Sequence, residues 1–238
     1  MPPDVSVVVP VFNEEGAVEA LVAEIAAAFA GQSVEILFVD DASTDTTRAR
    51  LTAMKARHPQ LRVIVHARNA GQSRAIRTGV LAARASLILT LDGDGQNDPA
   101  DGPRLVQRLA TQPSLALVSG RRVNRQDAPR KLWASQLGNS LRQWLLRDGA
   151  ADSGCGIKAF RRAAFLRLPY FDHMHRFLPA LFRREGYQLA FEPVRHRARL
   201  HGASNYTNIG RLIVSVPDVL GVLWLKGRTR DPGPCDEA

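Results

Sequence analysis

The first half of the chain alternates between two hydrophobic rhythms. "VSVVVPVF", at 5–12, is a nearly unbroken β-branched run, the pattern of a parallel strand buried on both faces. Val18, Leu21, Val22, Ile25 and Phe29 then recur at helical spacing, with Glu14 and Glu15 near the start, where the helix dipole favours acid. "VEILFVD" predicts a second strand, and Ser43 or Thr44 is placed to cap a helix ending near His58-Pro59. "LRVIVH" predicts a third strand and 71–84 a third helix. "SLILTLD" is a fourth strand, 98–111 a helix with Pro99 in its first turn, and "LALVSG" a fifth strand. This order predicts an α/β fold around a largely parallel, doubly wound sheet. Ligands of such sheets bind at the carboxyl ends of the strands. The chain places Phe12-Asn13-Glu14-Glu15, Asp40-Asp41 and Asp92-Gly93-Asp94 there.

The second half is less regular. Residues 129–147 suit an amphipathic helix, with Trp133, Leu137, Leu141, Trp144 and Leu145 on one face and Lys131, Ser135 and Arg142 on another. Residues 156–168 and 173–184 predict a short strand and helices, and "YQLAFEPV" another strand. "RHRARLHGASNY" reads as a basic loop. Residues 208–226 suit an apolar helix interrupted by Pro217, and the tail from 228 has a disordered composition. The organisation expected is a catalytic domain over 1–207, an apolar helix over 208–227 and a tail over 228–238.

Charge changes this picture. The net charge is +9, but residues 1–119 hold 11 Lys+Arg against 13 Asp+Glu, and residues 120–238 hold 21 against 10. The second half therefore predicts an anionic partner. No nucleic-acid recognition motif accompanies the basic residues, so nucleic acid is not the expected one. The run from Leu212 to Leu225 is short of the roughly 20 residues a membrane span needs and contains Pro217 and Asp218. A bilayer surface, packing on the domain, and a second copy of the chain each suit that helix. No charged and then apolar leader opens the chain, and Cys155 and Cys235 match no zinc spacing. A cytoplasmic protein with free thiols, peripheral on the cytoplasmic face of a membrane, is expected.

Candidate chemistry emerges from what is missing. No GxGxxG follows the first strand and no GxxxxGK[ST] occurs, so a bound diphosphate lacks the usual glycine cradles. A divalent cation on carboxylates is the physical substitute. In "LDGDGQNDP", Asp92, Asp94 and Gln96 alternate after a strand, and their oxygens suit Mg²⁺ or Mn²⁺. Asp98, before Pro99, reads as a helix cap. An EF-hand fails on spacing, since its sixth position would be Asn97 and its twelfth Pro103. A plain Asp/Gly turn remains the alternative for this stretch.

The ordered set "VVVPVFNEE", "VDDASTDTT", "NAGQSRAIRTG" and "LDGDGQNDP" resembles the successive motifs of inverting family 2 glycosyltransferases with the GT-A fold. "DSGCGIKAFRR", "HRFLPAL" and "RLHGASNY" resemble the polyprenyl-phosphate branch, typified by dolichol-phosphate mannosyltransferase. The resemblance implies that Pro10, Phe12 and Glu14 line the base and ribose of a nucleotide-sugar and that Asp40 contacts the base. It implies that Asp92, Asp94 and Gln96 hold the metal, and that Asp152 and Lys158 lie near the donor sugar. Lys158 stands where arginine is commoner. Arg199 and Ser204 belong to a loop over the diphosphate. That loop commonly has lysine where this chain has Asn205, which leaves Arg197 and Arg199 as the nearby cations. Arg121 or Arg122, Arg130 or Lys131, and Ser135 are the candidates for a polyprenyl phosphate. His175 and Arg176 are read as residues that position the acceptor, Arg176 within the catalytic set, and a plain helix start is the other reading of His175. The implied activity is transfer of a sugar, GDP-mannose being the first donor considered, to a polyprenyl phosphate. A UDP-sugar donor, a hydroxyl acceptor and a non-catalytic binding module are the alternatives.

Overall fold

The computed structural model describes residues 1–123, 143, 145–197 and 208–228. Arg130, Lys131, Ser135, Arg199, Ser204, Asn205 and nearly all of the helix expected over 129–147 lie outside the described residues, as does the tail beyond 228.

Seven strands form one sheet: β1 Val5–Val11, β2 Val34–Asp40, β3 Leu61–Val65, β4 Leu87–Thr90, β5 Leu115–Arg122, β6 Lys158–Arg161 and β7 Gln188–Val194. Their order is β3-β2-β1-β4-β6-β5-β7. The helices are α1 Val18–Ala28, α2 Thr47–Met54, α3 Gln72–Ala82, α4 Gly102–Thr111, α5 Arg162–Leu166, α6 Leu178–Arg184 and α7 Asn208–Gly227. The pairings β1–β2, β2–β3, β1–β4 and β5–β7 are parallel, as the alternation of strand and helix predicts. β6 is the exception. It runs antiparallel to both of its neighbours, with Lys158 opposite Thr90 of β4 and Ser119 of β5. An antiparallel strand begins where parallel ones end. Lys158 and the segment before it are thereby delivered to the carboxyl edge of β1, β2 and β4.

β1 feeds both faces of the sheet. Val5, Val7, Val9 and Val11 pack with Leu21, Ile25, Phe29, Phe38 and Leu105 on one side, and Val8 packs with Leu37, Ile76, Val80 and Ile88 on the other. Alternate side chains of a strand point oppositely, so a strand that is apolar on both faces needs cover on both sides, and the one polar residue of β1, Ser6, is buried against Glu35. Each such side chain, fully buried, contributes about 1.5–3 kcal/mol. Phe160 of β6 stacks on Phe165 of α5 at 4.9 Å between ring centroids and meets Phe182 of α6 at 6.0 Å, which holds the inserted strand from below.

Two details depart from the sequence reading. Neither Ser43 nor Thr44 caps α2, which begins at Thr47 with Thr46 in the cap position and no side-chain cap bond. Both are instead drawn to Asn13: Asn13 N–H donates to Ser43 Oγ at 3.0 Å, and Thr44 N–H donates to Asn13 Oδ1 at 2.8 Å. A tertiary partner has outcompeted local capping. The expected helix at 98–111 opens as a 3-10 turn at Pro99–Asp101 before α4 begins, with Asp98 capping it by accepting from Ala100 N–H at 3.0 Å.

α7 rests on the second core through Val222, with Val219, Leu223 and Leu225 partly buried beside it. Arg184 Nε donates to the Leu225 carbonyl at 3.1 Å, Lys226 Nζ donates to the Leu146 carbonyl, and His173 Nδ1 meets Asp218 Oδ2 at 3.0 Å. Val216, Leu220 and Trp224, four residues apart, are 54, 61 and 62 % exposed on the outer side. Among the described residues no helix is long and apolar enough to cross a membrane.

Two glycines inside helices predict opposite outcomes. A Cβ on Gly79 of α3 would press into Val8, with Val39 Cγ2 at 3.2 Å, whereas one on Gly221 of α7 would meet nothing within 4 Å. Gly79→Ala is expected to lower unfolding free energy in urea by about 1–3 kcal/mol through overpacking. Gly221→Ala is expected to raise it by about 0.5–1 kcal/mol through helix propensity.

Candidate functional site

The first wall of the site is built from the loops after β1 and β2. Asn13 and Ala42 both hold positive φ, 56° and 64°, which turns the two loops toward each other. Glu14 N–H donates to Thr47 Oγ1 at 2.9 Å, and Thr46 N–H donates to Glu15 Oε2 at 3.0 Å. The Thr46 bonds hold the exposed Glu15 carboxyl below its usual range. Pro10 is buried in β1, while Phe12 stands 36 % exposed at the rim. An open cleft of about 540 Å³ lies beside this clamp, lined by Asp40, Ala42, Ser43, Arg48, Val65 and His66. Asp40 is buried at its edge. Its Oδ1 accepts from Ser43 N–H at 2.9 Å, and its buried Oδ2 has no partner among the described residues. A buried carboxylate oxygen without a donor is costly unless a ligand supplies one.

The acidic turn after β4 forms the floor. Gly93 lets the turn lie against β1, since a Cβ there would be 2.8 Å from the Pro10 carbonyl. Asp92 N–H donates to Asn97 Oδ1 at 3.1 Å, and Gln96 N–H donates to Asp94 Oδ1 at 3.1 Å. Gln72 Nε2 donates to Asp92 Oδ1 at 2.8 Å. The other face of the Asp92 carboxylate abuts Gly156, where any Cβ would collide with it and lie 2.6 Å from Asn97 Oδ1. The partly buried Asp92 carboxyl is pushed up to about 6, chiefly by burial and then by the like charge of Asp94, against Lys158, Arg122 and Gln72.

The third wall comes with β6. Arg122, at the end of β5, grips Asp152 in a bidentate pair, Nε to Oδ2 and Nη2 to Oδ1, each at 2.7 Å. Burial works against the Arg122 charge, but the Asp152 bonds outweigh it and raise its pKa. Lys158 is buried, with Nζ donating to the Cys155 carbonyl. Burial lowers the Lys158 pKa, while Cys155, Asp92 and Asp152 work the other way. The Cys155 thiol is pushed up to about 11 by burial, which suits an inert core residue rather than a nucleophile. His175 Nδ1 pairs with Ser73 Oγ at 2.8 Å. Burial, and then the neighbouring Arg176 and Lys158 charges, hold the His175 imidazole well below its usual range, so it is neutral.

The structure thus gathers Asp92, Asp94, Gln96, Asp152, Lys158 and Arg122 about one edge, with Pro10, Phe12, Glu14 and Asp40 on the adjoining wall, while Arg176 ends the 3-10 turn Met174–Arg176 beside His175. It corrects one sequence expectation and narrows another. Arg197 is not a free cation for a diphosphate: its guanidinium bonds Glu24 Oε2 at 2.7 Å and Asp98 Oδ1 at 2.8 Å. Of the pair Arg121 and Arg122, the second is committed to Asp152, leaving the exposed Arg121 as the one with a side chain turned to solvent. The sequence presents Gln72 and Ser73 only within "NAGQSRAIRTG" and Asp41 only as part of an acidic strand end, with no partner for any of them. The glycine before Gln72 in "NAGQSRA" marks a helix start, but nothing local shows what that start faces.

The donor set fits a hard divalent cation. Asp92, Asp94 and Gln96 offer only oxygens, and Asp94 raises the Asp92 pKa by a repulsion that a cation relieves. No group of three or more His, Cys, Asp or Glu side chains arranged for a metal occurs among the described residues. Two carboxylates with further oxygens from water and phosphate is the usual arrangement for Mg²⁺.

The profile described as "Glycosyl transferase family 2" matches residues 6–168. The chain is 36% identical over 237 residues to the dodecaprenyl-phosphate galacturonate synthase of Rhizobium johnstonii, covering 97% of this chain and 69% of that protein. It is 35% identical over 206 residues to an undecaprenyl-phosphate 4-deoxy-4-formamido-L-arabinose transferase of Pseudomonas aeruginosa, covering 85% of this chain and 60% of that one. It therefore spans between three fifths and seven tenths of these relatives' length. A glucosyl-3-phosphoglycerate synthase from Mycobacterium tuberculosis, solved with Mn²⁺ and UDP, superposes with TM-score 0.72 at 19% identity, over 97% of this chain and 82% of that one. A mannosyltransferase from Pyrobaculum calidifontis, solved with GDP-Man and Mn²⁺, gives TM-score 0.67 at 20% identity over 98% and 66%. At these identities the solved structures establish the fold, which is GT-A.

The Asp92 environment predicts a pH effect on the metal-free protein. An unfolded Asp ionises near about 3.9, but here the carboxyl keeps its proton to about 6. Between those values the native state binds more protons, so stability falls as pH rises through that window. In EDTA, urea denaturation should show Asp92→Asn more stable than the wild type at pH 7 and equal to it at the acid end of the window. Parallel pH profiles for the two proteins would contradict the assignment.

Proposed function

The chain belongs to glycosyl transferase family 2, and we propose that it transfers one sugar from a nucleotide-sugar to a polyprenyl phosphate, with inversion at the anomeric carbon. The observation that carries this reading is the meeting of the Asp92–Gln96 turn with the Asp152–Lys158 segment at the carboxyl edge of the sheet, beside the cleft at Asp40. Both curated relatives named above are polyprenyl-phosphate sugar transferases, which supports the acceptor.

In this reading Asp40 receives the base through its unpartnered oxygen, with Pro10, Phe12 and Glu14 along the base and ribose. Asp92, Asp94 and Gln96 hold Mg²⁺ or Mn²⁺ against the diphosphate. The cation supplies positive charge to the departing nucleoside diphosphate. Asp152, fixed by Arg122, and Lys158 face the sugar. Their charges are set before the donor arrives, so little reorganisation accompanies the reaction. Arg121 and Arg176, with Arg130, Lys131 and Ser135, orient the acceptor phosphate, and Arg199 and Ser204 cover the diphosphate. A phosphate monoester is already anionic near neutral pH, so no general base is required.

A hydroxyl acceptor is the second reading, and the neutral His175 is the observation behind it, since a neutral imidazole can take a proton. Its depressed pKa makes it a weak base, and one nitrogen is already paired with Ser73. The phosphate acceptor is therefore preferred. For the donor, GDP-mannose yields first place to a UDP-sugar, because the relatives named transfer galacturonate and an arabinose derivative. The exposed row of Val216, Leu220 and Trp224 is assigned to the cytoplasmic face of a bilayer, where the acceptor's lipid tail resides.

The test is a panel of GDP-mannose, UDP-glucose and UDP-galacturonic acid with a short polyprenyl phosphate and Mn²⁺ or Mg²⁺, reading lipid-linked product. At least one donor should give product, and Asp94→Ala should lower its rate by about 10²–10³-fold. No lipid-linked product with any donor would overturn the reading. Separately, the triple substitution Val216→Ser, Leu220→Ser and Trp224→Ser should abolish co-sedimentation with anionic vesicles while turnover of a short, soluble acceptor persists. Undiminished co-sedimentation would remove α7 as the membrane contact.

A further inference from the structure

We infer that Gln72 is a positioning residue for the metal turn, an inference that rests on the metal reading above. Its placement starts one loop away, at Asp41. This buried carboxylate has both oxygens occupied. Oδ1 accepts from Ala70 N–H at 2.9 Å and meets His66 Nδ1 at 2.6 Å, and Oδ2 accepts from Gly71 N–H at 2.8 Å. The far nitrogen of His66 pairs with Thr78 Oγ1 at 2.9 Å, two turns along α3. Asp41 and His66 thus tie the loop before α3 to the body of the same helix. Gly71, at φ +86°, makes the last bend, in a conformation that a residue with a side chain rarely adopts. Gln72 comes next, the first residue of a helix whose starting point is held from two sides.

From there the Gln72 amide crosses to Asp92 Oδ1 at 2.8 Å, the only hydrogen bond to that carboxylate among the described residues. The opposite face of the carboxylate is blocked by Gly156. Between the amide and the glycine, Asp92 has one orientation. An amide is suited to this task because it fixes direction without neutralising charge. A lysine in its place would compete with the cation that Asp92 is read as binding. Partners that orient a metal-binding carboxylate in this way commonly govern metal affinity.

The backbone of Gln72 is fixed by others and its side chain is exposed, so replacing the side chain should leave the fold intact. The experiment uses the full chain. Mn²⁺ binding is measured by electron paramagnetic resonance, with Mn²⁺ alone and with Mn²⁺ plus UDP, for wild type, Gln72→Met and Asp94→Ala. Gln72→Met keeps the length of the side chain and removes the donor. It should weaken Mn²⁺ binding by about 10-fold with an unchanged melting temperature. In turnover the same variant should raise the KM for Mn²⁺, with kcat recovered at saturating Mn²⁺. A loss confined to kcat, or Mn²⁺ binding equal to wild type in Gln72→Met while Asp94→Ala loses it, would overturn the role of Gln72. Wild-type Mn²⁺ binding by Asp94→Ala would instead overturn the metal reading on which it rests.

Discussion

Everything at the site depends on one pairing, the antiparallel insertion of β6 between β4 and β5. A sheet of parallel strands can bring only strand ends to its ligand edge. Here two of those ends are acidic, Asp40 and Asp41 at and after β2 and Asp92 and Asp94 after β4, and the Arg122 that ends β5 is taken up by Asp152. With no counter-charge this edge would repel a phosphate. The inserted strand solves the problem by starting where the others stop, so that Lys158 enters the centre of the sheet at that edge with Asp152 just ahead of it. The register is what makes it work: Lys158 faces Thr90 and Ser119 rather than an apolar neighbour on each side. The local balance of charge is therefore a consequence of topology.

The same insertion imposes close packing. With β6 beside β4, the segment before Lys158 runs against the acidic turn, and Gly156 is the point of nearest approach. The carboxylate of Asp92 is confined between that segment and the start of α3. Desolvation by these neighbours raises its pKa, and the same confinement fixes its direction. Burial cost and preorganisation have one cause here. A site assembled from flexible loops alone would have neither.

The parallel strands were legible because a strand buried on both faces must be a β-branched run, and "VSVVVPVF" and "VEILFVD" leave little else to choose. The acidic strand ends were legible for the complementary reason: they interrupt those runs with charge. The orientation of β6 was not. Four residues, Lys158–Arg161, contain too little pattern to reveal a direction. Partners distant in sequence were invisible as well. Arg197 was a candidate cation because Asn205 stands where the resembled loop carries lysine, yet its partner Glu24 lies 173 positions away. Ser43 and Thr44 had the chemistry of helix caps and were recruited by Asn13 instead. In each case residue type indicated what a side chain can do, and only the fold decided with whom.

The strand-like pairing beyond β7 has a consequence for how such a protein diversifies. Asn97 bridges His196, Arg197 N–H donates to the Gln96 carbonyl at 2.9 Å, and Arg197 is clamped by Glu24 and Asp98. The acidic turn and the root of the segment after β7 are therefore a single mechanical part. A change in the backbone of the turn therefore shifts Arg197 with it, and a change at Arg197 reaches the turn. Variation on the two sides of this joint is constrained together, although they lie about a hundred positions apart in the chain.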